Sequence, residues 1–238
     1  MRLLVDQVVE WALPESSDAD EVSCTVKAFL AADIPGELIA LLERIILQGS
    51  DFCENANLQN LLILTAMKAA PDKVMGYVDR LDNFHGPDIA KLAISEQHEL
   101  FEEGYAIYCK FSKKEVRHNQ QCNKTQHSTA QYSTTNLSFA QFTPDKDDRV
   151  EMQTLALGVL VDKLQDLERA AEYALNVNEK PVWSKLGVAQ LDNKLASMAI
   201  KSFLNAEDPK EYMRVCNEAN DLEIWDELIP FIKMARGK

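Results

Sequence analysis

Apolar residues recur along this chain at steps of three and four. In IPGELIALLERIIL, Leu38, Leu41, Leu42, Ile45 and Ile46 fall on one face of a helix. Pro35 stands at its start, and Gly49 is placed to end it. The same period predicts helices over about 57–69, 71–81, 87–95 and 99–111, and again from about Met152 to the C-terminus. Prolines 14, 35, 71, 87, 181 and 209 sit where helices begin or loops turn. No alternating pattern competes, and eight glycines in 238 residues are few for an all-β fold. The expectation is an all-α chain of short antiparallel helices joined by tight turns.

The helices also resemble one another. FEEGYAIY (101–108), LERAAEYA (167–174) and ASMAIKSF (196–203) each place a small residue fourth, at Gly104, Ala170 and Ala199. A small side chain there lets a neighbouring helix approach, with Tyr105, Tyr108, Ile200 and Phe203 filling the space between. Two Trp-bearing helices, PVWSKLGVAQL and EIWDELIPFIKMA, are read as alternate members of these pairs, with the interval from Trp183 to Trp225 suiting a helical hairpin. Such repetition predicts an α-α superhelix, a curved solenoid of ten or more short helices in which each hairpin buries its face by stacking on the next. It also accounts for the stretch LQNLLILTA (58–66), which is apolar nearly all round. A helix flanked by its partner and by both neighbours has little exposed face left.

One segment breaks the series. The interval from Gly104 to Ala170 is more than twice that from Ala170 to Ala199, so extra chain has entered between two repeats. HNQQCNKTQHSTAQYSTTNLSFAQFT (118–143) is mostly Asn, Gln, Ser and Thr and holds no acid. It lacks the apolar surface to offset chain entropy. The organisation expected is therefore helical repeats over 1–111, a polar disordered insertion over 112–150, and repeats of the same array over 151–238.

Charge narrows the choice of partner. With 25 basic and 38 acidic residues the net charge is −13, which repels phosphate backbones. The tightest basic cluster, Lys113, Lys114 and Arg117, is interrupted by Glu115 and is too short to hold nucleic acid or an anionic membrane. Five cysteines, at 24, 53, 109, 122 and 216, are odd in number and widely spaced, as expected of a reducing compartment. MRLLVDQVVEWALPESSD has no signal-peptide pattern, and no run approaches the roughly 18 apolar residues of a membrane helix. A cytosolic protein is expected.

Candidate chemistry is sparse. His118, Cys122 and His127 lie close in sequence but match no standard zinc spacing and lack a fourth ligand. His85, beside Asp82 and Asp88, is explained by the turn His-Gly-Pro-Asp before a helix. Asp18, Asp20 and Glu21 suit the positive end of a helix. Asn123-Lys124-Thr125 and Asn136-Leu137-Ser138 match glycosylation acceptors, which a cytosolic chain does not expose to that machinery. No phosphate-binding loop or nucleophile elbow is present. No catalytic, cofactor-binding or metal-binding residue is assigned, no enzyme is expected, and no particular partner-binding residue is singled out.

Seven segments in order, DQVVEWAL, EVSCTVKAFLAADIPGELIALLERIIL, NLQNLLILTAMKA, VMGYVDRLDNF, PDIAKLAISEQHELFEEGYAIYCKF, LERAAEYALNVNEKPVW and EDPKEYMRV, carry a resemblance to the clathrin heavy-chain family, in the proximal part of its leg. The resemblance covers nearly all the chain outside about 112–150. It implies stacked, TPR-like hairpins of the clathrin heavy-chain repeat, in a coat that forms lattices around budding vesicles in endocytosis and intracellular transport. Its implied partners are other heavy chains and the clathrin light chain. Nucleic acid is not among them, and membranes are reached only through adaptors. The place implied is the cytosolic face of coated pits and vesicles. The chain departs from the family in its length, expected to be a piece of leg without propeller or hub, in the polar insertion, and in Pro230, which should kink its helix or remove a backbone bond. A stand-alone solenoid that binds peptides or tethers membranes is the other reading of the same pattern.

Overall fold

The computed structural model describes residues 19–47, 52–113 and 146–237. Among them are twelve α-helices and no strand. They are α1 (Ala19–Ala31), α2 (Pro35–Leu47), α3 (Ala56–Ala69), α4 (Val74–Arg80), α5 (Gly86–Ile94), α6 (Phe101–Ser112), α7 (Lys146–Gly158), α8 (Leu167–Val177), α9 (Lys180–Asp192), α10 (Ala196–Ala206), α11 (Tyr212–Asp221) and α12 (Trp225–Arg236). A 3₁₀ turn, Pro71–Lys73, precedes α4, and a π-helical turn, Val159–Lys163, extends α7. The all-α expectation holds. The chain divides into two compact units, with the division inside α6 between Ile107 and Tyr108. Of the expected polar insertion, 114–145 lies outside the described residues. At its edges, α6 runs to a buried Ser112, and α7 begins at Lys146, upstream of the boundary expected near 151.

In the first unit the chain packs α1 on α2, α2 on α3, and α3 on both α4 and α5. α2 buries Leu38, Ile39, Leu41, Leu42, Ile45 and Ile46, the predicted stripe with Ile39 added. α3 holds LQNLLILTA, and no residue from Leu58 to Met67 is exposed. Contact with α2, the 3₁₀ turn, α4 and α5 covers it on nearly every side, as its composition requires. The two amides of this stretch bind loops. Gln59 Nε2 donates to the Cys53 carbonyl at 2.8 Å, and its Oε1 accepts the Asn83 N–H at 2.9 Å. Asn60 Oδ1 accepts the His85 N–H at 2.8 Å. Gln59 is buried, and both ends of its amide are satisfied, so it escapes the roughly 1–3 kcal/mol that an orphaned group costs. Gly104 of α6 meets α5: a Cβ there would lie 2.5 Å from Ile94 Cγ1. The small residue expected at this place is a requirement of close approach.

The second unit shows the repeat in its backbone. Gln165, Lys194 and Glu223 have φ of 54°, 59° and 57°, and each is followed two residues later by the start of α8, α10 or α12. The step from Gln165 to Lys194 equals the step from Lys194 to Glu223. Asn178 and Glu207, separated by that same step, have φ of 53° and 52° and follow α8 and α10. At Lys194 and Glu223 the helix closes in a Schellman motif: Lys194 N–H donates to Leu191 O and Leu195 N–H to Gln190 O, then Glu223 N–H to Asn220 O and Ile224 N–H to Ala219 O. Ala170 and Ala199 stand one such step apart as well, so their spacing is a true structural period, and both are fully buried.

Each helix here packs on the next, and three also pack on the next but one: α7 on α9, α9 on α11 and α10 on α12. This is the stacking of a solenoid. Phe203 lies against Gly187, where a Cβ would come within 2.9 Å of its ring, and fills the gap as expected. Ala199, Ile200, Val215, Leu228 and Phe231 complete a core there, and the Tyr212 ring stacks on Phe231 at 6.1 Å between centroids. The buried Ser202 hydroxyl donates to Oε1 of the buried Gln190 at 2.7 Å.

Two details of the expected packing differ. Tyr105 is only half-buried, while Ile107 is fully buried in its place on α6. The tryptophans are not repeat equivalents: one structural period carries Trp183 to Tyr212, and Ala196 to Trp225. The interval between them joins a helix of one kind to a helix of the other. Pro230 has no N–H to give the Asp226 carbonyl, yet α12 continues through it to Arg236. Both residues are exposed, so water can take the vacated acceptor.

Candidate interaction surface

Among the described residues, those weighed for chemistry serve helix starts. His85 caps α5: its carbonyl accepts the Ile89 N–H at 3.1 Å, Pro87 follows in the first turn, and Asp88 completes that turn. Asp20 and Glu21 occupy the first turn of α1, where the helix dipole favours acids. Asp18, His118, Cys122, His127 and both glycosylation-type sequences lie outside the described residues. Among the described residues no three His, Cys, Asp or Glu side chains group to hold a metal ion. No helix among them is long and apolar enough to cross a membrane.

What the surface does carry is a set of ion pairs joining helices in register. Arg214 of α11 reaches Asp192 at the end of α9 at 2.7 Å, Lys201 of α10 reaches Glu227 of α12 at 3.7 Å, and Lys180 of α9 reaches Glu207 after α10 at 2.8 Å. The hydrogen bond to Asp192 raises the pKa of the Arg214 guanidinium further. Such solvent-facing pairs are worth little, so they select register more than they add stability. In the first unit Tyr77 of α4 donates its hydroxyl to Glu43 of α2, with Lys73 3.4 Å from the same carboxylate. Burial, then the acceptor Glu43, pushes the Tyr77 phenol well above its ordinary pKa.

Exposed apolar residues gather on α12 and the turn before it. Leu222, Trp225 and Ile229 follow a three-and-four spacing and are 54%, 50% and 49% exposed. The repeat equivalents of the last two, Ala196 and Ile200, are 1% and 0% exposed on α10, which α12 packs against. The outer side of α12 thus repeats a face that α10 buries. The spacing of Trp225 and Ile229 is that of any amphipathic helix and does not by itself tell a covered face from an exposed one. Stepping back by one structural period is the operation that separates a covered face from an uncovered one.

These features belong to a stacked array of helices, and comparisons with known proteins show which family it matches. The family model described as the region in clathrin and VPS matches residues 13–137. Over 237 residues, all of this chain, it is 43% identical to the clathrin heavy chain of Drosophila melanogaster, 41% to clathrin heavy chain 1 of Oryza sativa subsp. japonica and 40% to clathrin heavy chain 2 of Homo sapiens. The chain spans 12% of the length of each of these relatives.

Proposed function

The chain belongs to the clathrin and VPS repeat family, and from that premise we propose that it serves as a leg segment of a clathrin heavy chain, a structural component of the coat in endocytosis and vesicle-mediated transport. It has no enzymatic activity in this reading. It works at the cytosolic face of coated pits and vesicles, contacts other heavy chains in the lattice and the clathrin light chain, and meets membranes only through adaptors. The identity to heavy chains along its whole length carries the proposal. The physical chemistry of the second unit supports it, because helices held by stacking and by weak exposed ion pairs suit a scaffold that assembles and comes apart. A stand-alone peptide-binding or tethering module is not favoured by these relatives.

The test is replacement. The matching segment of the Drosophila heavy chain is exchanged for this chain, and lattice formation is followed by sedimentation and electron microscopy. Cages sedimenting as those of the parent are expected. A chimera that resists proteolysis and trimerises, yet forms no cages at any pH, overturns the proposal.

A further inference from the structure

The outer face of α12 differs from its counterpart on α10 in more than exposure. Asp226, Ile229, Lys233 and Arg236 follow one another at steps of three and four, and all are exposed. One structural period earlier, α10 carries the neutral, half-buried Ser197 and Leu204 where α12 carries Asp226 and Lys233. The face that α10 buries within the array is neutral at these places, whereas that of α12 has an apolar centre and charged ends, the anatomy of a surface that meets another molecule. Among the described residues Glu223, Asp226, Lys233 and Arg236 take part in no ion pair.

The order of these charges points to the occupant. Glu223 and Asp226 come before Ile229, while Lys233 and Arg236 come after Pro230. Counted from the midpoint between Ile229 and Pro230, Asp226 and Lys233 are equally far, and so are Glu223 and Arg236. Reversed end for end, the face is its own complement. Two such helices laid parallel oppose acid to acid and base to base; laid antiparallel, every acid meets a base.

We propose that the outer face of α12 binds the same face of a second copy of this chain, antiparallel, about a two-fold axis between Ile229 and Pro230. Such an isologous contact uses each pair twice. Asp226 of one copy meets Lys233 of the other, Glu223 meets Arg236, and Ile229 lies against Pro230. Trp225, 50% exposed, covers the last turn of the second copy and is the aromatic anchor of the contact. The net charge of −13 opposes the meeting of copies, but at physiological salt it is screened beyond roughly 8 Å, so the local register decides. One helix from each copy makes a small interface, below the roughly 1,200 Å² of stable complexes, and the dimer is reversible.

The experiment is sedimentation velocity of the purified chain at physiological salt, over a dilution series reaching its solubility limit. A monomer that passes into a dimer with concentration is expected. Trp225→Glu should weaken the dimer by roughly 30-fold or more, through loss of the anchor. Asp226→Lys and Lys233→Glu each set like charges opposite one another at two places, and each should weaken it by about tenfold or more. Mixed in equal amounts, these two variants regain opposite charges at both places and should associate as the native chain does. Lys91→Glu on α5 changes the net charge as Lys233→Glu does and should leave the dimer unchanged. Circular dichroism checks folding, and the mixture decides the register, since two misfolded variants would not rescue each other. The proposal is overturned by a native chain that stays monomeric throughout, which would leave the face to some other helix. It is overturned equally by a dimer that survives Trp225→Glu, or by a mixture that associates no better than its parts. Association is measured on the chain alone, so its failure would leave the coat reading standing.

Discussion

Replacing Lys194 and Glu223 by glycine should stabilise this protein. Both hold a left-handed backbone, with φ of 59° and 57°, where a Cβ costs roughly 1–2 kcal/mol. Glycine removes that cost and returns about 0.4–1 kcal/mol to the unfolded chain through its wider freedom. The net gain is about 0.5–1 kcal/mol per site. The two turns stand a full structural period apart and use separate carbonyls, Leu191 and Gln190 against Asn220 and Ala219, so the gains should add. At about 2–4 °C per kcal/mol for a chain of this size, the double variant should melt about 2–8 °C higher. Two other left-handed residues set the limits. Glu207→Gly also forfeits the exposed Lys180 pair, worth roughly 0–1 kcal/mol, and should be nearly neutral. Asn178→Gly keeps the turn but orphans the Trp183 indole N–H, which donates to Asn178 Oδ1 at 3.1 Å, at a cost of about 1–3 kcal/mol. It should destabilise. Glu172→Gly, exposed within α8, is the control and should lose about 1 kcal/mol. Urea and thermal denaturation measure all five. If Lys194→Gly and Glu223→Gly lose as much as Glu172→Gly, the turn reasoning is wrong.

Three further outcomes are expected. Pro230→Ala restores an N–H to the Asp226 carbonyl and should raise stability by about 1–3 kcal/mol, less than the full helix-interior penalty because the site is exposed; an unchanged urea midpoint would count against it. Gly104→Ala should destabilise in the native background, where its Cβ meets Ile94 at 2.5 Å, and stabilise once Ile94→Ala has cleared the space; a double-mutant cycle without that change of sign refutes the contact. Tyr77, neutral and raised in pKa in the folded state, contributes stability that is complete below about pH 10 and is lost as pH climbs from there toward the folded value. Urea midpoints between pH 8 and 11 should therefore fall more steeply for the native protein than for Tyr77→Phe.

Much of the fold was legible because its helices are amphipathic and repeat. The stripe of α2 and the all-round apolarity of α3 each follow from one face, or no face, meeting water. The turns were not legible. Among the described residues Asp33, Glu99, Gln165, Asn178, Lys194, Glu207 and Glu223 hold positive φ without the glycine that marks such a position in sequence. Here the cap hydrogen bonds and the packing on either side hold residues that would not choose this conformation alone. The repeat period was visible through Ala170 and Ala199, since close packing leaves a small residue as its trace. The tryptophans misled because they are conspicuous and carry no positional constraint of that kind.

The interaction surface was less legible for a related reason. A catalytic site announces itself by residue types whose chemistry is rare, whereas a stacked array binds with the same leucines, lysines and carboxylates it uses to fold. Ile200 and Ile229 have one chemical identity and one repeat position, yet one is buried and the other half exposed. In such a protein function lies in which copy of a repeated feature is left uncompensated. It becomes readable once equivalent positions are compared through the structure.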